Sequence, residues 1–335
     1  MSSGPIERGS AMSERAYAVV GALALAAVPI VTAAVPIVPL AWLLDAVVGL
    51  AVGPDIAGVG NGTVIGVVAS VVFGLATSIA LGPILVDRRI ERLPAADLDD
   101  RPAAFIESRV DAIAEAVGVE PPPVTAVRAE AANVAVADGY RGPRLVVSTR
   151  LLSLPAADRD AALRHAMVRL RTREAAFTTA TLPGLVVVEW VTLLATLLVG
   201  RRSDRGPADR RVNRIHGYEP DRERIPAPAY AAAGLLVWLV ALPAWIPAVV
   251  GDRLFVAGRR RAADAAVARV GEAERDGLAN AVGFAGDAAG AADWPPLLDR
   301  LSLVSMADDE TSRVRGTSRQ EARIRLARLR SKRAL

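Results

Sequence analysis

The sequence predicts an α-helical membrane protein with about four transmembrane helices and a small α/β domain, on three observations. Of the 335 residues 52% are apolar, and the mean hydropathy of +0.32 is high for two water-exposed domains of that length. Four apolar runs, 16–44, 56–86, 175–200 and 227–250, are each long enough for a hydrocarbon core that needs about 20 residues. Between the second and third runs lies a polar, mixed segment in which short β-like stretches are bracketed by helical patterns.

Composition removes several function classes. There is no Cys, so disulfides, thiolate metal sites and thiol catalysis are excluded. Lys332 is the sole Lys, and the net charge of +4 is carried by Arg. The Arg residues flank apolar runs and nearly balance the acids, and aromatic residues make up only 4%. No basic patch is interleaved with stacking rings, so nucleic acid is not an expected partner.

Taken in order, residues 1–15 form a polar N-terminal tail with Arg8 and Arg15, and residues 16–86 hold transmembrane helices 1 and 2. The first run exceeds a signal-peptide core of about 7–15 residues, so it reads as an uncleaved anchor with its N-terminus inside. Pro29, Pro36 and Pro39 are candidate kinks. No Lys or Arg occurs between Arg15 and Arg88, and the connecting loop carries Asp45 and Asp55. That loop then faces out, and the domain from Arg88 onward is cytoplasmic on a multi-pass cell-membrane protein. The G-V-G-N-G stretch 58–62 lacks a following Lys and a βαβ frame, so it reads as loop or helix start, not a phosphate cradle.

Residues 87–174 form the first part of the α/β domain. Phe105, Ile106, Val110, Ile113 and Val117 predict an amphipathic helix over 102–117, broken by Pro121, Pro122 and Pro123. Strands are predicted at 124–127, 133–137 and 144–148, with turns at Gly139 and Gly142. A helix starts at 155–158 with Asp158 near its positive end. Residues 175–250 hold transmembrane helices 3 and 4, joined by an Arg-rich loop, 201–225, with eight Arg and His216. Two true spans put that loop outside, against the charge rule. Glu189 lies mid-span, and no apolar run offers it a basic partner, so a neutral, hydrogen-bonded carboxyl is expected. Residues 251–335 are helical, the last helix showing Ile324, Leu326 and Leu329 as its apolar positions.

The stretch 161–174 reads A-A-L-R-H-A-M-V-R-L-R-T-R-E, which has the frame of a zinc-peptidase helix. In H-E-x-x-H two His at i and i+4 hold the metal and the Glu activates its water. His165 stands at the first ligand, Ala166 at the base and Arg169 at the second ligand.

The order of parts, with these motifs, resembles the HtpX-like membrane zinc metallopeptidases, relatives of the CAAX prenyl proteases, over roughly residues 102–329. Asn133-Val134-Ala135-Val136-Ala137-Asp138-Gly139 is similar to the family's edge strand N-A-F-A-T-G, and 145–149 to the strand after it. Arg259-Arg260-Arg261-Ala262-Ala263-Asp264 is similar to R-E-x-x-A-D, with Arg260 at the third ligand and Asp264 retained. Residues 316–324 resemble H-P-x-x-E-x-R-I without the His-Pro.

The resemblance implies a zincin-like (minigluzincin) domain whose catalytic positions, His165, Ala166, Arg169, Arg260 and Asp264, are degenerate. It implies no cofactor and a pseudopeptidase that acts by binding membrane or extended polypeptides and modulates proteolysis. Its partners are then membrane lipid, membrane polypeptides or an active peptidase relative. Asn133, Val134, Ala135 and Val136 would take an extended peptide as an added strand. Arg169 and Arg260 would pair with Glu174 and Asp264 or hold an anion. The alternative is an active zinc endopeptidase with an atypical site built on His165, Glu174 and Asp264. An Arg at about 4 Å would oppose such an ion by roughly 8 kcal/mol at an effective dielectric of about 20. A purely structural membrane protein is the third reading.

Overall fold

The computed structural model describes residues 5–52, 61–96, 100–200, 227–287, 293–306 and 318–331. Along the chain come α1 (Pro5–Val52), α2 (Asn61–Glu91), α3 (Asp100–Val117), β1 (Val124–Val127), β2 (Val134–Gly139), β3 (Gly142–Ser148), a short α4 (Thr149–Leu152) and α5 (Ala156–Arg171). Then follow α6 (Glu174–Gly200), α7 (Ala227–Gly251), a π-turn (Asp252–Val256), α8 (Ala257–Ala268), α9 (Glu272–Asp287), a 3-10 turn (Pro296–Leu301) and α10 (Ser318–Arg330). Among the described residues, four helical stretches are long and apolar enough to cross a membrane: Ala16–Leu50, Gly62–Glu91, Glu174–Leu198 and Ala229–Ala268. Their outward faces carry Leu43, Leu44, Phe73, Trp190, Leu194 and Leu236 in exposed positions, a surface that suits hydrocarbon and not water.

Lipid tails are as apolar as Leu, so helices in a bilayer associate through close packing of small residues. The bundle is built on that rule. Gly82 of α2 lies against the Thr179 carbonyl of α6 so closely that no Cβ would fit, and a Cβ on Gly21 of α1 would sit 2.5 Å from the Phe255 amide nitrogen. Leu25, Val28, Leu185, Val188, Ala248 and Phe255 fill the space these contacts enclose.

The domain outside the bundle has a larger core of its own, in which Leu145, Leu151, Leu163, Met167, Leu278, Val282 and Leu298 are fully buried. Its three-stranded sheet has the order β1-β3-β2. The β1 strand runs parallel to β3 with Val124 opposite Leu145, and β2 forms an antiparallel hairpin with β3 that closes at Gly139 opposite Gly142. Gly142 has φ 97°, a backbone state that a residue with a Cβ resists.

Several expectations need correction. Residues 5–15, read as tail, belong to α1. The fourth apolar helix does not stop near 250; it runs on through the π-turn into α8, so the bundle and the domain share one rod. Asn61 and Gly62 open α2, while 58–60 lie outside the described residues, as do the Arg-rich loop 201–225, His216 and 307–317. The frame 161–174 is split between two helices. Helix α5 ends at Arg171, Arg173 adopts φ 53°, and α6 begins at Glu174. Phe105 is 56% exposed, with the Arg159 guanidinium 5.4 Å from its ring centroid, whereas Ile106, Val110, Ile113 and Val117 are buried as their spacing predicts. The second and third strands begin at Val134 and Gly142, not at 133 and 144.

Candidate functional site

The five positions that the resemblance singled out meet between α5 and α8, and all are nearly inaccessible: His165, Ala166, Arg169, Arg260 and Asp264 are each buried. Helical spacing places them there. On α5 residues 165, 166 and 169 share the face turned toward the domain core, and on α8 residues 260 and 264 stand one turn apart.

What they surround is a piece of the chain itself. Every carbonyl from Asp299 to Val304 accepts a bond from a buried side chain. Arg260 Nη2 donates to Asp299 O at 2.6 Å. Arg169 Nη2 donates to Arg300 O at 2.8 Å, and its Nη1 to Leu301 O and Ser302 O at 2.9 and 2.8 Å. Arg325 Nη1 donates to Leu303 O, and Asn133 Nδ2 to Val304 O at 2.7 Å. Bonds from charged donors are each stronger than neutral ones, about 1.5–3 kcal/mol net. The donors thus hold the segment along its whole length.

The same segment lies on the sheet edge that was expected to be open. Ala135 forms an antiparallel bridge with Ser302. The Leu303 amide donates to Val134 O at 2.7 Å, and the Val304 amide to Asn133 Oδ1 at 3.2 Å. Of the candidate binding residues, Asn133, Val134 and Ala135 therefore contact residues 302–304. Val136 is buried opposite Leu145. An incoming strand at this edge has first to displace Ser302 to Val304.

The guanidiniums are balanced by acids, though not all by the expected ones. Arg169 binds Glu174 Oε1 through Nε at 3.0 Å and Nη2 at 2.5 Å, as the sequence led one to expect. Arg260 instead pairs with Glu321, at 2.9 and 3.1 Å. Asp264 takes both arms of Arg325, at 2.9 and 2.7 Å, and its Oδ1 lies 3.2 Å from His165 Nε2. That last contact is off hydrogen-bond alignment, so among the described residues neither ring nitrogen of His165 makes an aligned hydrogen bond. Glu189, for which no apolar run offered a basic partner, finds one outside those runs. Arg300 reaches from the 3-10 turn to Glu189 Oε1 at 3.1 Å and to Asp252 Oδ1 at 2.9 Å.

Zinc does not fit these residues. Among the described residues no group of three or more His, Cys, Asp or Glu could hold a metal ion. Both oxygens of the carboxylate nearest His165 already accept from Arg325, and Arg169, at the expected second-ligand position, is a guanidinium engaged with four acceptors. Ala166, at the position where the frame would place the base, carries no group that could activate a water.

Arg300, Arg325, Asp299 and Glu321 are the site residues that sequence reasoning missed. One signal was available: Glu321, Arg325 and Leu329 recur every fourth residue on α10, and Arg325 and Leu329 are both buried. Ile324, read as an apolar face position, is 45% exposed instead.

Removing one partner of a buried, hydrogen-bonded ion pair costs about 3–5 kcal/mol. Arg169→Leu should therefore lower unfolding stability in detergent by that order and speed hydrogen exchange at the Leu303 and Val304 amides; unchanged exchange there would show that Arg169 does not hold the segment. A second outcome follows from His165. Burial pushes its imidazole below the usual value, the facing Asp264 opposes this, and Arg325 and Arg169 add to it. The unfolded chain then binds the proton more readily, so the contribution is present above a pH of about 6.5 and is lost as pH falls below it. The thermal midpoint should drop more between pH 7.5 and 5.5 in the wild type than in His165→Gln, and equal drops would contradict this.

Comparison of the chain with protein-family models, with curated proteins and with solved structures finds no match.

Proposed function

We propose that this chain is a catalytically inactive, HtpX-like membrane pseudopeptidase. It would be a multi-pass protein of the cell membrane with its peptidase-like domain on the cytoplasmic side, and it would act by binding extended polypeptides. The observation that carries the reading is the Arg169 guanidinium. It occupies the second-ligand position of the H-E-x-x-H frame and grips the main chain of residues 300–302. A cation that binds peptide carbonyls is retained there, while the parts needed to cleave a peptide are replaced.

The binding half of the reading rests on main-chain chemistry. Strand addition needs an edge with free N–H and C=O groups and no metal. Segment 302–304 pairs with that edge in the antiparallel sense, so the edge is shaped for an extended chain. In the resting protein the chain's own residues take that place. A partner polypeptide would exchange with them, and modulation of an active relative would proceed through such exchange.

Elemental analysis of the detergent-purified protein beside His165→Ala is expected to find no stoichiometric zinc in either. Zinc present in the wild type and lost in the variant would overturn the reading in favour of an active endopeptidase with an atypical site. For the binding half, a synthetic peptide of residues 298–306 should bind Leu303→Pro, which lacks the amide that donates to Val134 O. It should bind the wild type far more weakly. No binding to either protein, with the variant folded, would leave only a structural role.

A further inference from the structure

The segment that covers the strand edge carries one charged side chain whose partners lie on the bundle. Arg300 stands two residues ahead of Ser302, the residue bridged to Ala135. Its carbonyl is held by Arg169, while its guanidinium points the other way. Nε donates to Asp252 Oδ1 at 2.9 Å and Nη2 to Glu189 Oε1 at 3.1 Å. One guanidinium thus joins two carboxylates from two elements, the π-turn and α6. The Arg300 side chain is 3% exposed, against 14% for Asp252 and 31% for Glu189.

The two acids sit on elements that remain when the segment leaves. A strand that displaces Ser302 to Val304 takes Arg300 away as well, because two residues of extended chain span only about 7 Å. Asp252 and Glu189 then lose the base they share, and a largely buried carboxylate without its cation is costly. The clamp arginines are committed to acids of their own: Arg169 to Glu174, Arg260 to Glu321 and Arg325 to Asp264. An incoming strand therefore has to supply the missing cation, and a chain with a neutral or acidic residue at that place is selected against by the carboxylates it faces. Arg suits the place better than Lys. The two acids are bound by separate nitrogens of one planar fork, which a single ammonium does not reproduce.

The positions beside Arg300 complete a pattern. Leu301, Leu303 and Val304 are buried in the domain core. Ser302 Oγ accepts from Trp294 Nε1 at 2.9 Å and donates to Leu298 O at 2.6 Å, so an apolar residue there would leave a buried indole N–H unsatisfied. We propose that Asp252 and Glu189 form a specificity site for the exchanging polypeptide. They select an Arg two residues ahead of the Ser that meets Ala135, within the pattern Arg-apolar-Ser-apolar-apolar. This inference rests on the strand exchange proposed above and names the class of chain that takes part in it.

The test is fluorescence anisotropy with labelled peptides on the full chain in detergent, carrying Leu303→Pro to loosen its own segment. The probes are the peptide of residues 298–306 and the same peptide with Arg300→Gln. The Arg peptide should bind about thirtyfold more tightly, the low end for truncating one partner of a buried charge pair, in keeping with the partial exposure of Glu189. When the protein also carries Asp252→Asn and Glu189→Gln, the two peptides should bind alike. The Gln peptide makes no use of the acids, so its affinity reports that this triple variant is folded. Equal affinity of the two peptides for Leu303→Pro itself would overturn the specificity site and leave the exchange standing. Binding of neither peptide would overturn the exchange, and this inference with it. An Arg preference that survives undiminished in the triple variant would overturn the assignment to Asp252 and Glu189.

Discussion

The structure depends on a set of buried guanidiniums that bind the main chain of residues 299–304. A segment with little regular structure brings a row of carbonyls into the interior, and an unpaired buried carbonyl costs as much as a lost hydrogen bond. Arg169, Arg260 and Arg325 answer that row, with Asn133 at its end. Each Arg brings its own desolvation cost, which Glu174, Glu321 and Asp264 offset. Backbone, guanidinium and carboxylate are thus three layers of one arrangement, and none is stable in the interior without the other two.

That arrangement also joins the domain to the bundle. The residue whose carbonyl Arg169 binds, Arg300, sends its own side chain the other way, to Asp252 in the π-turn and Glu189 in α6. An ionisable group within an apolar helix requires a partner at close range, and Arg300 supplies it from outside the apolar runs. The domain is held to the bundle end by a charge that the bundle itself needs.

A metal ion and a guanidinium are both cations that attract carbonyl oxygens, yet they differ in consequence. An open metal site polarises a carbonyl and exchanges its ligands. A guanidinium that donates in a fixed fork to several acceptors holds them without activating any. Arg169 thus retains the main chain of residues 300–302 in one arrangement.

The sequence by itself determined the apolar helices, the strands near 124–148 and the place of His165, Arg169, Arg260 and Asp264 on two helices, because length, hydropathy and local spacing are properties of neighbouring residues. The Arg169–Glu174 pair, five residues apart, was legible for the same reason. It was the tertiary structure alone that decided that Arg260 meets Glu321 and not Asp264, that Arg325 turns inward, that Arg300 reaches Glu189, and that residues 302–304 cover the strand edge. These partners lie 61 to 171 positions apart in the chain. An Arg on a helix reads as solvated whenever its balancing acid and the carbonyls it serves are distant in sequence, since burial of a charge is set by what folds against it.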